Sequence, residues 1–144
     1  MTEPFVVVGA DAAGLSAASK CRRTDPDREV VVLDAGRWVS FAHCGTPYYV
    51  KGEITALTAM TALTPADVRE RGIDLRTKHR VTAVDTTQQR VTVDGPDGQM
   101  EVDYGELLIA TGAHARTTPL SDEALAGVFT LHGLDDAAAI RAFL

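Results

Sequence analysis

Phe5-Val6-Val7-Val8-Gly9-Ala10-Asp11-Ala12-Ala13-Gly14 decides the reading of this chain. Four apolar residues, three of them β-branched valines, predict a strand buried on both faces, as in a parallel sheet. Gly9 to Gly14 then read as a small-residue turn, and Leu15 to Arg23 as a helix stopped by Thr24-Asp25-Pro26. Glu29 to Asp34 reads as a second buried strand, which closes a β-α-β unit. In such a unit the first glycine makes the tight turn and the last lets helix and strand pack closely. The helix N-terminus, with its free N–H groups and dipole, then favours a pyrophosphate. Asp11 occupies the middle glycine position of G-x-G-x-x-G, and a plain strand–helix turn is the alternative. Asp34 lies 20 residues after Gly14, where an acid hydrogen-bonds ribose hydroxyls and argues against a 2′-phosphate; an ordinary strand-ending Asp is the alternative.

Downstream, Thr64-Pro65-Ala66-Asp67 has the pattern of a capping box, with Thr64 as N-cap and Asp67 its reciprocal partner. Gly72 ends that helix, and Ile73-Asp74-Leu75 reads as a third parallel strand. From Arg80 the period changes to two: Val81 and Ala83, then Val91 and Val93, alternate with polar residues. Gln88-Gln89 and Gly95-Pro96-Asp97-Gly98 sit at turns, and Gln99 to Tyr104 follow as a strand. This predicts an antiparallel meander inserted into a parallel sheet. Glu106 to Ala110 returns to a buried strand ending in Thr111-Gly112, a proline-containing loop follows, and Asp135 caps a last helix. The fold class is therefore α/β, a Rossmann-like parallel sheet with an inserted antiparallel β-meander.

The 144 residues suffice for one domain, and 45 % hydrophobic content predicts a packed core. A net charge of −6 argues against nucleic acid as partner. No apolar run is long enough to span a bilayer, and the start carries no secretory pattern. Cys21 and Cys44 do not make a disulfide framework, so a reducing cytoplasm is expected. His43, His79, His114 and His132 lack metal-ligand spacing, and no metal is expected.

Cys44 lies in Ser40-Phe41-Ala42-His43-Cys44-Gly45-Thr46-Pro47-Tyr48-Tyr49, where a helix can begin at Pro47. A thiol near a helix N-terminus is more available as thiolate. A buried structural cysteine is the alternative, but the Gly/Pro/Tyr surroundings do not resemble a core face. Cys21, on the first helix, reads as inert packing. Lys20, Arg22 and Arg23 are a basic cluster, either a ligand site or a solvated helix end. His43 either tunes the thiol, contacts a ligand, or does neither.

With these residues the chain resembles the N-terminal part of the flavin-dependent pyridine nucleotide–disulfide oxidoreductases. The branch it is most similar to is the single-cysteine one, that of coenzyme A disulfide reductase, NADH oxidase and NADH peroxidase. The resemblance runs from Phe5–Gly14 and Val30–Asp34 through Ser40-Phe41-x-x-Cys44-Gly45-x-Pro47-Tyr48. It resumes at Asp103-Tyr104 and Leu107 to Ala113, and ends at Thr130-Leu131 and Leu134 to Ala137. It implies FAD at the first β-α-β unit, with Gly9 and Gly14 at the pyrophosphate and Asp34 at the adenosine ribose. Ala10, Ala12, Ala13 and Ala35 complete the expected cofactor contacts, and Thr111 and Gly112 approach the cofactor from the late strand. Cys44 is implied as the redox thiol, and Ser16, Lys20, Arg23, Ser40 and His43 as the lining of a substrate channel. Asp34 stands where Glu is more usual, and His43 where Asn is. Tyr49 occupies the position of a second cysteine in C-x-x-x-x-C, so Cys44 pairs with an outside thiol or cycles through a sulfenic acid.

The implied reaction passes electrons from NAD(P)H to FAD and on to a small-molecule disulfide, coenzyme A disulfide or a persulfide, or to a peroxide. A non-catalytic dinucleotide-binding module is a further reading. The resemblance also implies a homodimer for the full-length enzyme. Residues 1–130 are expected to form the FAD-binding portion and 131–144 the start of a connection to an absent NAD(P)H-binding domain, which makes the chain an N-terminal fragment.

Overall fold

The computed structural model describes residues 3–116 and 126–144. The expected proline-containing loop falls largely outside them. The chain divides into two compact units, Met1–Ser40 with Leu63–Thr111, and Phe41–Ala62 with Gly112–Leu144.

In the first unit the chain runs β1 (Phe5–Val8), α1 (Ala12–Thr24), β2 (Val30–Asp34). The second unit contributes the intervening α2 (Thr46–Lys51). The first unit then continues through α3 (Pro65–Glu70), β3 (Asp74–Thr77), β4 (Arg80–Asp85), β5 (Arg90–Gly95), β6 (Gly98–Asp103) and β7 (Glu106–Ile109). A four-stranded parallel sheet has the order β3-β2-β1-β7, and β4-β5-β6 form a separate three-stranded antiparallel sheet. The meander is thus inserted in the chain but builds its own ladder.

The apolar runs of β1 and β2 are continuous because both faces are covered. Val7, Val30 and Val32 pack with Leu15 and Ala18 of α1 and Val68 of α3. Val6, Val31 and Leu33 point the other way and pack with Val91 and Val93 of β5 and with Tyr104. Period-two alternation therefore divides one valine run between two cores.

Element ends differ from expectation in ways that have local causes. Helix α1 starts at Ala12, three residues before the expected Leu15, because Ala12 and Ala13 are good helix formers. Strand β7 is not fully buried: Ile109 is 62 % exposed, since among the described residues β7 pairs only with β1 and lies at the sheet edge. The alternation expected in β4 breaks at a register shift between Val81 and Ala83, which leaves Ala83 and Val84 exposed.

The second unit holds α2, short 3₁₀ turns at His43–Gly45 and Leu57–Met60, and α4 (Leu134–Phe143), which packs on α2. The expected cap Asp135 is corrected to Asp136. Gly133 is the N-cap, and the Asp136 side chain, three residues on, accepts from the backbone N–H groups of His132 (2.8 Å) and Gly133 (2.9 Å).

The capping box at α3 forms as expected: Asp67 N–H donates to the Thr64 hydroxyl (3.2 Å), and Thr64 N–H and hydroxyl both donate to the Asp67 carboxylate (2.7 Å each). The Thr64 N–H and then its hydroxyl hold the Asp67 carboxyl below its usual value. A depressed carboxylate contributes stability that is present above its unfolded value and lost as pH falls through the folded one. Urea unfolding of the native chain and Asp67→Asn at pH 7 should therefore show the variant less stable, with the difference shrinking below about pH 4. A difference that stays constant with pH would contradict the assignment.

Candidate functional site

In the first unit two glycines leave no space for a side chain. A Cβ on Gly9 would lie 2.2 Å from the Ala110 carbonyl oxygen and 3.4 Å from Thr111 N. Gly9 also has φ +111, a conformation that L side chains rarely adopt. A Cβ on Gly14 would lie 1.8 Å from the Gly9 carbonyl oxygen. The turn after β1 is thus pressed between the end of β7 and the first turn of α1.

The N–H groups of Ala12, Ala13 and Gly14 have no partner within the helix, as at every α-helix start. Asp11, at the N-cap, makes no capping bond to them. Ala12 and Ala13 are exposed and present only methyl groups. A dinucleotide pyrophosphate fits this cradle: small residues, uncapped donors and the positive end of a 13-residue helix.

Asp34 is placed by β2 and already has partners. Its Oδ2 accepts from Ala10 N–H at 2.6 Å and its Oδ1 from Gly36 N–H at 2.7 Å. Each carboxylate oxygen has a second lone pair, so both can still accept from a hydroxyl. Ala35 is exposed beside it, and Thr111 is exposed after β7.

A cavity of about 270 Å³ in the same unit is lined by Ala12, Leu15, Ser16, Ser19, Arg23, Ser40, Leu63 and Arg71. Of the expected substrate residues, Ser16, Arg23 and Ser40 meet here, whereas Lys20 does not line the cavity. The helix explains this: Ala12, Ser16, Ser19 and Arg23 are spaced i, i+4, i+7 and i+11 on one face, and Lys20 points about 100° away from Ser19. Ser19 could have been found from that spacing; Arg71 and Leu63 come from distant sequence and carried no signal. Ser40 has φ +50, a strained backbone held by its N–H donating to the Ala10 carbonyl at 3.0 Å.

The basic cluster has divided roles. Arg22 Nη1 donates to the carbonyls of Pro26 (2.6 Å) and Arg28 (2.7 Å), which is structural work, while Arg23 lines the cavity and Lys20 is exposed. Cys21 is half-buried and packs against the core, in agreement with an inert role.

In the second unit Cys44 is exposed in the 3₁₀ turn that leads into α2, and helix α2 begins at Thr46, one residue before the expected Pro47, which sits in its first turn. The turn is tightly closed. Thr46 is buried, and its hydroxyl donates to the His43 carbonyl at 2.8 Å. Ala42 N–H donates to the Met60 carbonyl (2.8 Å), and a Cβ on Gly45 would come within 2.9 Å of Met60 Sδ. His43 stacks on Phe41 with centroids 4.3 Å apart, and its Nδ1 lies 3.1 Å from the His132 carbonyl. A carbonyl only accepts, so Nδ1 carries the proton there. Gly112 is exposed with φ +69. Among the described residues no group of three His, Cys, Asp or Glu side chains could hold a metal, and no helix is long and apolar enough to cross a membrane.

Residues 3–143 match the family described as pyridine nucleotide-disulphide oxidoreductase. The chain belongs to that family. It is 39 % identical, over its whole length, to an NAD(P)H coenzyme A polysulfide/persulfide reductase of Pyrococcus horikoshii, of which it covers 32 %. It is 33 % identical over 141 residues to an NADH oxidase of Methanocaldococcus jannaschii, covering 96 % of this chain and 32 % of the relative. A solved NAD-dependent persulfide reductase from A. fulgidus superposes with a TM-score of 0.89 at 34 % identity, over 95 % of this chain and 27 % of the other. The chain thus spans about a third of the length of the curated relatives it matches.

The two cysteines should separate by reactivity. Exposed Cys44 is expected to react with an aromatic disulfide reagent quickly and stoichiometrically in the native chain, and half-buried Cys21 far more slowly until the chain is unfolded. Cys44→Ser should remove the fast phase; a fast phase that persists in this variant would assign it to Cys21.

Proposed function

We propose that this chain is the FAD-binding part of a flavin-dependent NAD(P)H:disulfide oxidoreductase that acts on coenzyme A persulfide or disulfide, with Cys44 as the redox thiol. The observation that carries the reading is an exposed cysteine in a closed turn, within a chain of this family that shares 39 % identity with a coenzyme A persulfide reductase. FAD, when bound, supplies the two-electron relay between a nicotinamide and sulfur. Gly9, Ala10, Ala12, Ala13 and Gly14 would cradle its pyrophosphate, Asp34 and Ala35 its adenosine ribose, and Thr111 and Gly112 its approach from the sheet end.

The chain's own chemistry is thiol–disulfide exchange. The Cys44 thiolate attacks one sulfur of coenzyme A disulfide, the Cys44–coenzyme A disulfide forms, and the other coenzyme A leaves as thiolate. Arg23 and Arg71 present two guanidinium groups suited to phosphate, and Ser16, Ser19 and Ser40 add hydroxyl donors. Lys20 stands exposed one residue from this face, and His43 adjoins the thiol in sequence. The similarity to an NADH oxidase supports a second reading, in which Cys44 cycles through a sulfenic acid.

Incubation of the chain with coenzyme A disulfide should add one coenzyme A unit at Cys44, seen by intact mass and peptide mapping, with release of one thiol. Arg23→Ala and Arg71→Ala should each weaken binding of reduced coenzyme A to the chain about tenfold, the loss expected for one charge-assisted phosphate contact. Absence of the adduct, together with trapping of a sulfenic acid after peroxide, would favour the oxidase reading instead.

A further inference from the structure

We propose that Asp34 is a latch that builds the dinucleotide turn before any cofactor binds, so that side-chain length at this position, and not charge alone, sets affinity. The inference rests on the FAD reading given above. Asp34 is the meeting point of three chain segments. Its carboxylate takes the N–H of Ala10 in the β1–α1 turn (2.6 Å) and of Gly36 beyond β2 (2.7 Å). Its main-chain carbonyl takes the N–H of His79 (2.8 Å), and Lys78 N–H donates to the Gly36 carbonyl (2.9 Å), which ties in the turn between β3 and β4. Lys78 adopts φ +59, a left-handed conformation sustained by these bonds.

The Ala10 bond matters most. Ala10 has no exposed surface, so water cannot replace the carboxylate as acceptor for its N–H. An unmade bond there leaves a buried donor without a partner, which costs far more than an exposed one. The Ala10 carbonyl in turn receives Ser40 N–H, so the same residue orders Ser40 in the lining of the cavity.

A glutamate would carry the carboxylate about 1.5 Å further along the side chain. That length suits a distant ribose hydroxyl but abandons Ala10 and Gly36. The two roles therefore make opposite forecasts. If the acid serves the ribose only, Asp34→Glu binds FAD as well as the native chain. If it is a latch, Asp34→Glu binds worse although the charge is kept.

Amide hydrogen exchange of the cofactor-free chain, read by two-dimensional NMR, and FAD titration by flavin fluorescence decide between them. Native Ala10 and Gly36 amides should be protected without FAD. Asp34→Glu should lose both protections, with the remaining amide spectrum kept, and weaken FAD binding about tenfold or more. Asp34→Asn, with one acceptor oxygen left, should retain only one of the two protections. Exchange at Ala10 and Gly36 as fast in the native chain as in Asp34→Glu, or Asp34→Glu with both amides protected and native FAD affinity, would overturn the latch. A native chain that binds no FAD but loses these protections in Asp34→Glu would retain the latch and remove the cofactor reading alone.

Discussion

The contact on which the first unit depends is the absence of any gap around Gly9. Its Cα lies so close to the Ala110 carbonyl that no side chain can intervene, and Gly14 approaches Gly9 more closely still. These two approaches bring the end of β1, the end of β7 and the start of α1 together. Any residue larger than glycine would have to separate two backbone segments, because the obstructing atoms are carbonyl oxygens and not flexible side-chain ends. The same approaches aim the N-terminus of α1 outward between short side chains. A requirement of packing thus leaves short side chains and uncapped N–H groups at the start of α1, with Asp11 as the one acidic residue of the turn, at its N-cap.

Around this point helix α1 divides its surface. Gly14, Leu15 and Ala18 are buried, while Ser16, Ser19 and Arg23 face the cavity that Arg71 also lines. One helix therefore serves the core and the polar site at once, as its 3.6-residue period allows. The cysteine turn is organised by different means. Thr46, buried and bonded to the His43 carbonyl, and Gly45, pressed on Met60, fix the backbone on both sides of an exposed thiol.

Much of this was legible in the sequence because it depends on local rules. The valine runs of β1 and β2, the Thr64/Asp67 capping box, the Gly95–Gly98 turn and the helix that has Pro47 in its first turn each follow from steric or hydrogen-bonding preferences of a few neighbouring residues. The family resemblance rested on the strands and turn of the first β-α-β unit, the Cys44 segment and the run from Leu107 to Ala113. What was not legible depends on partners far along the chain. Arg71 gave no sign that it would join Ser16 and Arg23, and Arg22 gave none that its guanidinium would be used by the Pro26 and Arg28 carbonyls. The exposure of Ile109 follows from the sheet order, which places β7 at an edge, and not from its apolar type. Asp34 was found for its place at the strand end, but its bonds to Ala10 and Gly36 needed the folded backbone.

In the proposed function, the Gly9–Gly14 turn and Asp34 hold an adenine dinucleotide. Paired titrations of the cofactor-free chain with FAD and with FMN, followed by visible absorbance and calorimetry, test it most directly. FMN carries the same ring system but lacks the pyrophosphate bridge and adenosine. FAD should bind with shifted flavin bands, and FMN at the same concentration should not. Equal binding of the two, or binding of neither, would contradict it.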